Sequence, residues 1–365
     1  MELWLFRHEE FKQLYNCSYD IDQIPLEARS HPTVGYSLIV LTLIFEIAYI
    51  PCIWAIYKHM RKSSCYKLMF YIGVCDIMCM PIIGILTGYF AISGAVYCSH
   101  PTLMYIVGNI GPELWYAESF VAVLLALNRC LDLNYPKFAE RIFGGTRTWK
   151  ILIVPTLYAI LIGIFFKTPV FNGVLCSWFF NPHIGYLDDP ESKYTSIMHP
   201  IHNWSISFSL AALYGTFSLT LSCKLQNRYM GPGVVLNLNK MQKKLFLQVL
   251  LVSFIHCFAA VMYDLMQFVH VTQAWTISAQ FACIEELPPN WHCVLLNGKG
   301  FGYFGSRVIK PKTLAEDSAL CWLWIDLVLL CGAQKRLQGQ AERREVICLP
   351  GYFPLPCLFS LQSEG

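Results

Sequence analysis

Six stretches are apolar for long enough to cross a bilayer as helices, at 35–57, 68–91, 103–127, 151–166, 201–222 and 245–269. A hydrocarbon core of about 30 Å takes about 20 residues of helix. The fourth stretch is the shortest, and Trp149 and Pro169 are placed to lengthen it. Periodicity inside the stretches is weak, as it is for helices apolar on most faces. Beyond them the pattern changes. The run 271–284 is short, is interrupted by Gln273 and Gln280, and enters Glu285-Glu286-Leu287-Pro288-Pro289, which cannot sit in hydrocarbon. The run 318–332 offers only about 22 Å of helix, with Asp326 in its middle.

The pattern predicts an all-α membrane protein in three parts. Residues 1–34 form an N-terminal segment outside the bilayer, and 35–270 form a transmembrane helical bundle. Residues 271–365 form an atypical, poorly structured tail with one short apolar segment at 318–332.

Composition agrees. Hydrophobic residues make up 55% of the 365 and charged residues 14%, against roughly 25% charged in a soluble domain. A large soluble enzyme and a disordered chain are both excluded. A net charge of +3 argues for no nucleic-acid partner, so lipid is the expected surround. Most of the sixteen Cys, among them Cys52, Cys75, Cys79 and Cys257, lie in apolar runs, where they act as small hydrophobes. Met1 to Lys12 is too rich in charge for a signal peptide, so the first span is expected to be its own anchor.

The position of the bases orients the bundle. Lys58, Arg61, Lys62 and Lys67 follow the first span. Arg129, Lys137, Arg141, Arg147 and Lys150 follow the third, and Lys224, Arg228, Lys240, Lys243 and Lys244 follow the fifth. The positive-inside rule then puts the N-terminus outside the cell. Asn16-Cys17-Ser18 and Asn203-Trp204-Ser205 are glycosylation sequons on that outer side. Cys98 and Cys176 also fall there, where an oxidising exterior permits a bridge or leaves two free thiols; spacing does not decide between them.

Four intramembrane carboxylates, Glu46, Asp76, Glu118 and Asp264, are costly and so informative. Asp76 and Glu118 lie at similar depth, roughly 12 and 16 Å from the cytosolic ends of their helices. They are expected to share a proton or hold a cation, or each to be protonated and bonded to a neighbouring helix. Asp264, Gln267 and His270, with Glu113, Trp115 and Tyr116 of the third span, line either a small-molecule cavity or the polar and aromatic belt of the interface. No Ser–His–Asp arrangement, phosphate loop or metal-ligand spacing stands out, so neither enzyme chemistry, metal nor cofactor is expected. His256 sits alone on an apolar stretch, and the spacing of Gly298-Lys299-Gly300-Phe301-Gly302 is wrong for phosphate.

The third span closes on Leu127-Asn128-Arg129-Cys130-Leu131-Asp132, with Pro136 after it. An Arg there resembles the arginine motif of rhodopsin-like seven-helix receptors, with Asn128 in place of the acid and Cys130 in place of the Tyr. Tyr49-Ile50-Pro51, Gly73-Val74-Cys75-Asp76-Ile77 and Gly84-Ile85-Leu86-Thr87-Gly88-Tyr89 stand in the same order as in nematode serpentine receptor class T chemoreceptors. The chain resembles that family over roughly 35–269.

The resemblance implies a seven-helix receptor-like bundle with six clear helices and a degenerate or missing seventh. It also implies a chemosensory receptor in the plasma membrane of a sensory cell, with a small-molecule ligand and a heterotrimeric G protein as partners. Asn128, Arg129, Cys130 and Pro136 would then form the coupling switch. The chain departs from rhodopsin-like receptors in having no Pro-containing aromatic motif at 254–267 and no Asn-Pro…Tyr helix. Two other readings remain: a polytopic transporter or channel using the four carboxylates, and a non-functional truncated receptor product.

Overall fold

The computed structural model describes residues 1–18, 20–61, 63–187, 189, 191–226, 257–269 and 271–286. Lys240, Lys243, Lys244, His256, His270 and the segment 318–332 lie outside the described residues, as does the first part of the sixth expected span.

The N-terminal segment is helical. Short helices α1 (Glu2–Phe6), α2 (His8–Leu14) and α3 (Leu26–Arg29) precede α4 (Pro32–His59). Next come α5 (Ser64–Met80), a π-turn over Pro81–Leu86, and α6 (Thr87–Ser93), which continue as one rod. Then follow α7 (Pro101–Asn134), α8 (Pro136–Phe143), α9 (Arg147–Phe165) and α10 (Met198–Gln226). A helix described over 257–265 (α11) and α12 (Gln273–Glu286) complete the bundle. Pro32, Pro101 and Pro136 each open a helix, where a missing N–H costs nothing. Among the described residues four stretches, 26–59, 64–93, 101–134 and 147–165, are long and apolar enough to cross a membrane.

Which face of each helix is buried was not visible in hydropathy. In α4 the buried residues are Gly35, Leu38, Thr42, Phe45, Tyr49, Cys52 and Ile56. That is a narrow seam at alternating spacings of three and four, the seam of left-handed helix packing. Large residues such as Val40, Ile44, Ile47, Ile50 and Trp54 point away from it. Lipid is as apolar as they are, so small residues that allow close approach set the interface. Gly84 in the π-turn meets Thr42, whose Oγ1 stands 1.7 Å from where a Cβ on Gly84 would be.

The sequence reading contains two departures from this fold. It expects only helices, but the chain between α9 and α10 forms a buried antiparallel hairpin. Strand β1 (Val170–Asn172) pairs with β2 (Ser177–Phe179), with Phe171 opposite Trp178. The hairpin packs with Tyr15, Phe90, Tyr97 and Tyr105 in one cluster. Trp178 Nε1 donates to Thr87 Oγ1 at 2.9 Å, and Thr87 Oγ1 donates to the Ile82 carbonyl at 3.0 Å.

The second departure lies after 271. The poorly structured tail expected from 271 begins instead with α12, packed against α4, the π-turn and β2. Gln273, Thr276 and Gln280, which interrupt the apolar pattern, lie on one face. Thr276 and Gln280 are buried. Gln273 donates to the Val174 carbonyl at 3.0 Å, and the Thr276 hydroxyl donates to the Leu175 carbonyl. Gln280 donates to the Ile83 carbonyl at 2.7 Å and accepts from the Tyr263 hydroxyl at 2.8 Å. These polar residues tie the helix to hairpin and π-turn, as polar side chains do between helices in lipid.

Candidate functional site

Helix α7 is the axis of the molecule, touching α5, α8, α9, α10 and β1. At its N-terminal end it borders a cavity of about 110 Å³. Gly108, Gly111, Pro112 and Trp115 form one wall, and Cys79, Ile82 and Ile83 a second. Ala259, Ala260 and Tyr263 of α11, with Cys283 of α12, form a third, and Pro169, Trp178 and Phe180 make the roof. Small residues leave the space. Gly108 also lets the roof approach, since a Cβ there would stand 1.9 Å from the Pro169 carbonyl oxygen.

The polar lining comes from α10, as His199 and Asn203. Asn203 is buried, and its Nδ2 donates to Asp264 Oδ1 at 2.7 Å. His199 Nε2 lies 3.8 Å from the same oxygen, and its Nδ1 lies 3.2 Å from the Tyr116 hydroxyl. Behind them His202 is held between Ser119 Oγ and the Tyr158 hydroxyl, each at 2.8 Å. His199, His202 and Asn203 share one face of α10. That i, i+3, i+4 spacing was the available signal for a polar face, and the sequence reading did not take it up.

Two expectations on the outer side are corrected. Asn203 is 1% exposed and bonded to Asp264, so the fold leaves no room for a glycan there. Asn16, by contrast, is exposed. Cys98 is bridged to Cys17 rather than to Cys176. The α1–α2 segment folds back over the bundle through Tyr15 and brings Cys17 to the turn holding Cys98. Cys176 is buried in the hairpin turn as a free thiol, and burial pushes it up to about 12.

The expected pocket residues divide. Trp115 lines the cavity, while Tyr116 and Asp264 stand just behind its polar corner. Gln267 accepts from the Ser196 amide at 3.1 Å and borders a separate, outer cavity of about 310 Å³ beside Asp189 and Tyr194. Glu113 turns towards α9, where it packs on Gly163 and accepts from Asn109 Nδ2. Glu113 and Gln267 therefore do not join the inner cavity.

Deeper in the bundle the Tyr49 hydroxyl donates to Asp76 Oδ2 at 2.5 Å, and Asp76 is wholly buried. Asp76 and Glu118 surround the same neighbours, Tyr49, Cys75 and Cys79. Among the described residues no three His, Cys, Asp or Glu side chains converge as metal ligands.

At the far end of α7, Asn128, Arg129 and Cys130 are all buried. Asn128 Nδ2 donates to Ser64 Oγ at 3.3 Å, tying α7 to α5. Cys130 Sγ donates to the Leu213 carbonyl at 3.2 Å, and Arg129 lies beside Tyr214, so both face α10. Pro136 opens α8, whose Ala139 and Phe143 are buried while Lys137, Glu140 and Arg141 face outward.

Comparison with known proteins bears on this arrangement. The chain is similar to Serpentine receptor class T-55 of Caenorhabditis elegans, with 26% identity over 222 residues. That stretch covers 60% of this chain and 59% of the relative, so the chain spans less than two thirds of that protein's length. The family described as serpentine type 7TM GPCR chemoreceptor Srt matches residues 2–284. The match takes in the N-terminal helices, the hairpin and nearly all of α12. The chain belongs to that family.

Proposed function

We propose that the protein is a chemosensory G-protein-coupled receptor of the plasma membrane, its N-terminus extracellular. A small ligand binds in the inner cavity, and a heterotrimeric G protein binds at the opposite, cytosolic end. One observation carries the reading: α7 borders the cavity at Trp115 and holds Arg129 fourteen residues, or about 21 Å, further along the same rod. Asn128 and Cys130, on either side of Arg129, bind α7 to α5 and α10. A ligand that prefers one arrangement of these helices shifts the population of the exposed-Arg129 state by its differential affinity. Asn128 holds α5 through a neutral hydrogen bond where rhodopsin-like receptors carry an acid beside the Arg. The resting state is accordingly restrained without a carboxylate at that position.

The test uses full-length protein in lipid vesicles with purified heterotrimeric G protein and a panel of small volatile and water-soluble organic molecules. The expected result is nucleotide exchange evoked by at least one molecule and lost in Arg129→Gln, which keeps length and polarity. Solute or ion flux across the same vesicles with no exchange would overturn the proposal in favour of transport through Glu46, Asp76, Glu118 and Asp264.

A further inference from the structure

Asp264 is an acidic group buried at the edge of an apolar cavity, 6% exposed. One of its oxygens accepts from Asn203; the other, Oδ2, is enclosed and has no hydrogen-bond partner among the described residues. Asn203, which lines the cavity, is 1% exposed, and its own Oδ1 is likewise enclosed with no partner. Its orientation follows from its neighbour: the amide nitrogen must face the carboxylate, which leaves the oxygen over. His199 does not fill either need. Its Nε2 is 3.8 Å from Asp264 Oδ1, beyond hydrogen-bond reach, and its Nδ1 is engaged with Tyr116. Among the described residues no Lys or Arg forms an ion pair with Asp264.

Two enclosed acceptors, one of them a carboxylate oxygen, ask for a donor that carries positive charge. The rest of the wall, with Trp115, Trp178 and Tyr263 in it, asks for an apolar body. At about 110 Å³ the space is smaller than the ~150 Å³ apolar cavity that takes up benzene. We propose that this cavity binds a small organic amine, its ammonium group on Asn203 and Asp264 and its hydrocarbon part among the aromatic walls. The inference rests on the receptor reading for treating the cavity as a ligand site, and it adds the ligand class. An ammonium group has three donors to give, so it serves both acceptors at once; a hydroxyl has one, and serves Asn203 alone.

The experiment measures heat stability of the purified full-length receptor in detergent against increasing isopropylamine, isopropanol or isobutane. These three share one hydrocarbon shape and are smaller than benzene, as the space requires. A ligand that binds the native state raises the unfolding temperature in proportion to occupancy. Isopropylamine is expected to bind at least tenfold more tightly than isopropanol, with isobutane weaker still. Asp264→Asn keeps an acceptor for Asn203 Nδ2 but removes the charge; it should weaken the amine at least tenfold and leave isopropanol unchanged. Ala260→Phe fills the cavity and should abolish binding of all three probes.

Equal binding of amine and alcohol overturns the proposal, as does an amine affinity indifferent to Asp264→Asn, amine binding that survives Ala260→Phe, or no binding of any probe. Nucleotide exchange on the G protein is read separately. Amine binding without exchange refutes the signalling role and leaves the ligand class standing.

Discussion

Replacing Gln280 by Leu tests what holds α12 in place. Gln280 is 1% exposed and makes two inter-element hydrogen bonds, to the Ile83 carbonyl at 2.7 Å and from the Tyr263 hydroxyl at 2.8 Å. Leu keeps the bulk and removes both. Hydrogen bonds between membrane helices contribute about 0.6 kcal/mol each on average and up to about 1.7. The substitution should therefore destabilise the protein by about 1–3 kcal/mol. Tyr263→Phe removes one of the same bonds, so its effect should be about 0.6 kcal/mol, and the two should couple by a similar amount in a double-mutant cycle. The measurement is unfolding of the purified full-length protein in mixed micelles titrated with SDS, followed by tryptophan fluorescence. A Gln280→Leu protein at least as stable as the parent would refute the reasoning. So would strict additivity with Tyr263→Phe, since the bond between Gln280 and Tyr263 would then contribute nothing.

Four other outcomes follow from the packing and the loops. Gly84→Ala should destabilise by about 1–3 kcal/mol through overpacking, and Thr42→Gly in the same chain should restore most of the loss. Thr42→Ala should restore less, because the Thr42 Cβ itself stands 2.7 Å from the added carbon. The same SDS titration reads this order. Cys17→Ser and Cys98→Ser should each abolish one disulfide by mass spectrometry under non-reducing conditions, while Cys176→Ser should leave it intact. With its thiol pushed up to about 12, Cys176 stays protonated and resists alkylation across the neutral and mildly alkaline range; rapid labelling of the folded protein would contradict its burial. In a glycosylating host Asn16→Gln should remove a glycan detected by gel shift, whereas Asn203→Gln should leave glycosylation unchanged.

Much of the site was out of reach of a linear reading, for reasons particular residues show. Arg129 and its neighbours stand out along the chain because a charged residue at the end of an apolar run is conspicuous in any register. Trp115 stands out as an aromatic residue, and the fold places it in the cavity wall. His199, His202 and Asn203 were not taken up, because Asn203 also begins a sequon and nothing along the chain tells a sequon facing Asp264 from one facing water. Glu113 and Trp115, two residues apart, looked like partners in one pocket. Two residues turn a helix through about 200°, so one faces α9 and the other the cavity. Cys98 was expected to pair with Cys176 or stay free, and only the fold of α1 and α2 over the bundle brings Cys17 to it.

Sequence by itself determined the lipid solvent, the mostly helical class, the four spans of 26–59, 64–93, 101–134 and 147–165, and the kinship of the chain. All of these depend on composition and on runs of apolar residues, which exist before folding. Tertiary structure decided which seam of each helix is buried, the hairpin that roofs the cavity, the disulfide partner and the existence of α12. In lipid the hydrophobic effect no longer distinguishes the inward face of a helix from the outward one. The choice passes to close fits such as Gly84 on Thr42, and to buried polar groups such as Gln280 on Ile83. Those polar groups look like interruptions until their partners are in place.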